Sequence, residues 1–201
     1  ECGGIRIFGK RVKSLAFTTD VAIVKNINAD AIMAVYPFTP QPVIADAIIS
    51  VADVPVFVGV GGGVTSGMRS YRLAIQAEHQ GAFGVVLNAP IPNDVVRLIK
   101  EDVDIPVVVT VVSETTDIQA RLDAGADILN VSGAARTPEI VAHIRKRFPE
   151  VPIIATGGPT DESILATIRA GANAITYTPP TSAALFARSM ERYREAEVGG
   201  V

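Results

Sequence analysis

The stretch Ile105-Pro106-Val107-Val108-Val109, followed after a helical segment by Gly125-Ala126-Asp127-Ile128, holds the pattern that organises the whole chain. Proline suits the first position of a strand, where its missing N–H is not yet needed by the ladder. The unbroken β-branched run behind it marks a strand buried on both faces. The same signature opens at Val54-Pro55-Val56-Phe57-Val58 and at Val151-Pro152-Ile153-Ile154. The second kind of segment recurs as Ala29-Asp30-Ala31-Ile32, Gly81-Ala82-Phe83-Gly84-Val85 and Gly171-Ala172-Asn173-Ala174-Ile175. Most of these begin with glycine, which takes the left-handed conformation that ends a helix before the next strand. The two kinds alternate, which amounts to an internal βαβα repeat.

Between the strands lie helices, each marked by a start signal and an apolar face. Thr39-Pro40 is expected to open one that buries Ile44, Ala47, Ile48 and Val51; Asn93 precedes Val95, Leu98 and Ile99. Thr137-Pro138 precedes Val141, Ile144 and Phe148, Thr160 precedes Ile164, Leu165 and Ile168, and Thr181 precedes Phe186, Met190 and Tyr193. Thr or Asn at the cap with proline at the first helical position is the expected signal.

Eight strands follow: residues 13–17 and 30–36, joined by a short helix through Val21, Val24 and Ile27, then six starting near Pro55, Phe83, Pro106, Asp127, Pro152 and Asn173. Parallel strands alternating with helices in this number make an α/β chain that closes into a (β/α)8 TIM barrel. The fold is expected as one domain over residues 1–201, with short loops, because such barrels typically take about 250 residues. An open doubly wound sheet is the competing arrangement, and residues 5–8 compete for the first strand.

The 48% hydrophobic and 19% charged content describes an ordered globular chain. No apolar run reaches the ~18 residues of a membrane span. The opening Glu1-Cys2-Gly3-Gly4 has no basic segment leading into an apolar one, so a cytoplasmic location is expected. The single cysteine permits no internal disulfide and no cysteine metal cluster. A net charge of −3 without blocks of like sign argues against nucleic acid as partner and for a small-molecule ligand.

In a barrel the site is built from the loops that follow the strands. The longest such loop here is Gly59-Val60-Gly61-Gly62-Gly63-Val64-Thr65-Ser66-Gly67-Met68-Arg69. Residues 62–67 have P-loop glycine spacing, but Met68 stands where the lysine must be. Gly59-x-Gly61 begins a dinucleotide fingerprint, but Val64 takes the third glycine position. What remains is a turn whose Gly61, Gly62 and Gly63 bring backbone N–H groups close to a ligand, with Arg69 as a charge partner. Asn88, Thr110, Asn130 and Thr156 end otherwise apolar strands and are ligand-contact candidates, since a buried amide must find partners.

The segments Thr156-Gly157-Gly158-Pro159-Thr160 and Thr178-Pro179-Pro180-Thr181-Ser182 follow the seventh and eighth strands. Here the chain resembles the phosphate-binding barrels that include ribulose-phosphate-binding enzymes and related aldolases. In those families a Gly-Gly after the seventh strand and a Gly-Ser-like turn after the eighth hold the substrate phosphate. The resemblance implies an anion cup from Gly157, Gly158, Thr178, Thr181 and Ser182; Pro179 and Pro180 have no N–H to give it. The wider sequence, with Tyr36-Pro37-Phe38-Thr39-Pro40, also resembles a bacterial barrel family generically labelled hydrolase. Gly81-Ala82-Phe83-Gly84-Val85-Val86 has a local likeness to flavin-dependent barrels.

Of the five lysines, Lys100 and Lys146 fall late in helices, Lys25 would qualify only if the first helix were a strand, and Lys13 lies at the wrong strand end, which disfavours a Schiff-base aldolase. His79 and His143 fall within predicted helices, leaving no zinc ligand set and no metal site of that kind. Asp20 and Glu114, with Tyr36, are the candidates for general acid and base; the two carboxylates would also suit Mg2+, although no cofactor is required. Arg136 would pair with an anionic ligand or with the acids around it. The expected function is an enzyme acting on a small anionic metabolite by acid–base chemistry, as lyase, isomerase or hydrolase. A metabolite sensor without turnover is the alternative, and a flavin enzyme a distant third. The charged stretch 188–197 reads as the solvated face of the last helix, where a homo-oligomer contact could also form.

Overall fold

A computed structural model describes residues 2–198. A short antiparallel hairpin, β1 (Ile5–Ile7) and β2 (Lys10–Val12), precedes the repeat. The barrel strands are β3 (Ser14–Phe17), β4 (Ala31–Ala34), β5 (Val56–Gly61), β6 (Gly84–Leu87), β7 (Val107–Val111), β8 (Ile128–Val131), β9 (Ile153–Thr156) and β10 (Ala174–Tyr177). They pair in parallel in chain order, and β10 closes on β3, so the sheet is a closed barrel rather than an open one. The helices are α1 (Val21–Asn26), α2 (Pro42–Val51), α3 (Met68–His79), α4 (Asn93–Asp102), α5 (Ile118–Asp123), α6 (Thr137–Arg147), α7 (Asp161–Arg169) and α8 (Ser182–Val198).

Alternation along each strand divides the core in two. Outward residues such as Ile32, Val58, Val85, Val109, Leu129 and Ile153 pack under the helices. Inward residues such as Leu15, Met33, Phe57, Val86, Val108 and Ile154 fill the barrel. Strand tilt staggers neighbours by one residue per strand, so side chains at one level come from alternate strands. Following the pairings gives a level of Leu15, Phe57, Val108 and Ile154, then Met33, Val86, Asn130 and Thr176, then Phe17, Gly59, Thr110 and Thr156. The interior thus turns from aliphatic to polar on one side as it rises toward the C-terminal mouth.

Residues 5–7 are not the first barrel strand. Ile5, Ile7 and Val12 are buried with the barrel-filling side chains, so the hairpin stops the N-terminal end. Phe8 lies edge-on to Phe83, whose ring in turn meets Phe57 edge-on. Gly84 is part of this packing: a Cβ there would lie 2.7 Å from the Phe57 ring. Its role is therefore close strand approach.

Two helix starts differ from expectation. α2 begins at Pro42 with Gln41 at its cap, because residues 36–41 continue as an irregular loop over the mouth. Asn93 is the first helical residue of α4 behind Pro92, not its cap. Thr160 does cap α7, in a reciprocal box with Ser163. α8 differs from the other long helices in having no buried side chain among its described residues, and Leu185, Phe186 and Tyr193 are exposed on it. No helix is long and apolar enough to cross a membrane among the described residues.

Candidate functional site

The C-terminal mouth holds a cleft of about 340 Å³ between the loop after β4 and the loop after β5. Its floor is Val35, Gly59, Val86 and Asn88; its walls are residues 36–40 on one side and Gly61, Gly63, Val64 and Thr65 on the other. Tyr36, Gly61, Gly63 and Asn88 thus line one space. The Tyr36 hydroxyl accepts the Gln41 N–H at 2.7 Å. The glycine turn is tightly built: Gly62 N–H donates to the Thr65 carbonyl at 2.7 Å, and Asn88 N–H donates to the Gly61 carbonyl at 2.9 Å. Gly61 and Gly62 have φ of +113° and +107°, and a Cβ on either would strike backbone. Only glycine combines that conformation with that approach. Phe38 (74% exposed) and Val64 (97%) stand at the cleft's rim.

Arg69 is exposed on the first turn of α3 and does not line the cleft. A residue the sequence did not single out, Arg121 on α5, fixes the loop that follows Asn88. Its guanidinium donates to the Ala89 and Ile91 carbonyls and to Asn93 Oδ1. Burial pushes its pKa down.

Asp20 has a structural task. One oxygen accepts the Ala22 and Ile23 amides at the start of α1, and the other accepts the Ser182 amide at 2.8 Å and hydroxyl at 2.6 Å. The Ser182 hydroxyl and amide, and then the helix amides, hold its carboxyl below the ordinary value against the opposing effect of burial. A carboxylate carrying four donors is poorly placed as a general base, so the catalytic reading of Asp20 is corrected to a double helix cap. Glu114 accepts from Arg136 at 2.9 Å, and Arg136 also lies 3.7 Å from Glu139. Arg136 thus pairs with the acids around it in the protein alone.

The Gly-Gly segment and the turn after β10 are likewise engaged. Gly157 N–H donates to the Thr176 carbonyl, and a Cβ on Gly157 would lie 2.8 Å from Ile164 and Ile175. Gly158 has φ +80° against Ser163. Thr178 is exposed, Thr181 caps α8 by accepting the Ala184 N–H, and both Ser182 donors go to Asp20. An anion drawing on the Ser182 donors would have to displace the Asp20 carboxylate.

Thr110, Asn130 and Thr156 do point into the barrel, but on the side away from the cleft floor. Asn130 Nδ2 donates to Thr110 Oγ1 at 3.2 Å and Thr156 Oγ1 lies 3.3 Å from Ser132 Oγ. Thr176 completes this polar wall and was missed. The signal was available: Thr176 shares the parity of inward-facing Ala174.

Mg2+ keeps several waters and is held by one or two carboxylates together with substrate oxygens, and in the protein alone the carboxylates at this end of the barrel are engaged by other groups. Among the described residues no three His, Cys, Asp or Glu come together. Asp20 is saturated by its caps, Glu114 is tied to Arg136, and Asp117 caps α5. Lys25 pairs with Asp53 and Lys100 with Asp127. His79 and His143 are exposed on α3 and α6.

These features define the molecule as a (β/α)8 barrel with a ligand-sized cleft on its C-terminal face. No family model matches the chain, and no curated protein matches it in sequence. Solved structures do share its fold. A phosphonopyruvate hydrolase in complex with oxalate and Mg2+ aligns with TM-score 0.67 and 17% identity, over 94% of this chain and 82% of that one. A 2,3-dimethylmalate lyase of the PEP mutase/isocitrate lyase superfamily aligns with TM-score 0.68 and 15% identity, over 94% and 84%. A phosphoenolpyruvate phosphomutase from Streptomyces platensis subsp. rosaceus aligns with TM-score 0.65 and 14% identity, over 94% and 83%.

Proposed function

We propose that this barrel is an enzyme that acts on a small organic anion by acid–base chemistry in the cleft between the loops after β4 and β5. The observation that carries the reading is the facing of Tyr36 and Asn88 with the Gly61–Gly63 turn across one 340 Å³ space. Because the Tyr36 oxygen already accepts the Gln41 N–H, its own proton is free to go to a ligand oxygen. The amide of Asn88 offers a further donor. The names of barrels that share the fold, a phosphonopyruvate hydrolase, a dimethylmalate lyase and a phosphoenolpyruvate phosphomutase, support small carboxylates as the substrate class.

The test is Tyr36→Phe, assayed against a panel of small mono- and dicarboxylates. Turnover should fall by about a hundredfold, the usual worth of a positioned proton donor, with affinity retained. Unchanged turnover would remove Tyr36 from the chemistry. The second reading, a sensor that binds without turnover, is favoured by the engagement of Asp20 and Glu114 in caps and an ion pair. Binding to the wild type with no product from any panel member would select it. Exposed Leu185, Phe186 and Tyr193 on α8 support a second copy of the chain as partner.

A further inference from the structure

None of the described residues that line the cleft is charged. The wall at residues 36–40 offers rings: Phe38 stands exposed at the rim, and Pro37 and Pro40 have no N–H to give. The opposite wall presents Val64, almost wholly exposed, and Val35 and Val86 continue the apolar surface on the floor. Thr65 Oγ1 donates to Thr39 Oγ1 at 3.3 Å, so those two hydroxyls tie the walls to each other. Apolar side chains left open on both rims gain when a ligand takes their surface from water.

The polar groups of the cleft are neutral donors. The Tyr36 hydroxyl proton and the Asn88 side-chain amide are joined by the Gly63 and Val64 N–H groups, which donate to no other group among the described residues. Next to Asn88 in the chain, the Ala89 carbonyl takes a bond from Arg121, whose guanidinium also reaches the Ile91 carbonyl and Asn93 Oδ1. Those oxygens are neutral and leave its positive charge uncancelled. One negative charge on a ligand is met by the donors and by this field. A second, carried on the ligand's body, would face rings and aliphatic groups, where an unpaired charge is costly.

We propose that the cleft selects acids with one negative charge on an apolar body, and rejects dicarboxylates and phosphate esters. The inference rests on the cleft reading above and names its substrate class. At about 340 Å³ the cleft lies at the small end of ligand pockets, which run from about 300 to 1,000 Å³, so the body is a single ring or a short chain.

The experiment titrates wild type, Val64→Lys and Phe38→Ala by calorimetry, comparing hexanoate with adipate, and phenylacetate with phenyl phosphate and phenylacetamide. Wild type should bind hexanoate and phenylacetate about tenfold more tightly than adipate and phenyl phosphate. Val64→Lys, made where the side chain is 97% exposed, should strengthen the two dianions several-fold more than the monoanions. Phe38→Ala should weaken hexanoate and phenylacetate about fivefold through lost apolar contact. A dianion bound as tightly as its matched monoanion overturns the inference, and if Gly62→Ala weakens that binding the cleft reading stands. A gap untouched by Val64→Lys, or monoanion affinities untouched by Phe38→Ala, also overturns it. Binding of no acid, or phenylacetamide bound as tightly as phenylacetate, overturns this inference and the anion reading together.

Discussion

Asp20 and Ser182, separated by 162 positions in the chain, are joined by two hydrogen bonds of 2.6 and 2.8 Å from the serine hydroxyl and amide to one carboxylate oxygen. The other oxygen caps α1, so one side chain ties the first barrel helix to the last at the seam where β10 closes on β3.

Replacing Asp20 with Ala should therefore lower stability by about 1–2 kcal/mol, the range for a lost helix cap, with the partial solvent access of the site limiting the rest. The carboxyl is held below its unfolded value of 3.8, so its contribution is present above that pH and is lost as pH falls through the lower folded value. Thermal melts between pH 7 and pH 2 check this: the gap between wild type and Asp20→Asn should narrow in the acid range. A constant gap would show that the carboxylate charge is not what stabilises the seam.

Gly62 and Gly63 are neighbours with opposite tolerance. A Cβ on Gly62 would lie 2.7 Å from the Asn88 nitrogen at a φ of +107°, whereas nothing stands within 4 Å of a Cβ on Gly63. Gly62→Ala should cost about 1–3 kcal/mol and displace Asn88, weakening carboxylate binding. Gly63→Ala should leave both melting and binding near wild type. Equal effects of the two substitutions would refute the close-approach account.

Arg121 positions the Asn88 loop without lining the cleft. Its partners are three oxygens of residues 89–93, so Arg121→Ala should raise KM more than it lowers kcat and cost roughly 2 kcal/mol of stability. Lysine should rescue poorly, because a point charge does not reproduce the fork of donors. Steady-state kinetics and melts on both variants decide the matter.

The Glu114–Arg136 pair is solvent-exposed, so Glu114→Gln should shift stability by less than about 1 kcal/mol. Turnover should stay near wild type if Tyr36 is the proton-transfer group. A fall of about a hundredfold with affinity intact would transfer that role to Glu114.

α8 exposes Leu185 and Phe186 on consecutive positions, and none of its described side chains is buried. Light scattering coupled to size exclusion should show a homo-oligomer that Phe186→Glu dissociates. A monomeric wild type at all concentrations would remove the second copy as partner.

The architecture was legible because it rests on local periodicity. The Ile-Pro-Val and Gly-Ala-Asp segments mark their own strands, and a continuous Val/Ile run needs cover on both faces wherever it lies. Tertiary structure decided the rest. The stagger of a closed barrel set Asn130 level with Thr176 and Val86, and ring closure brought Asp20 to Ser182. Packing made residues 5–12 a stopper rather than a strand of the barrel, and it gathered the cleft over β4 to β6 while the Gly157 and Ser182 donors were taken by the chain itself. Sequence spacing records which residues share a strand face. Which faces meet depends on how strands are offset around the ring, and that offset is a property of the closed sheet alone.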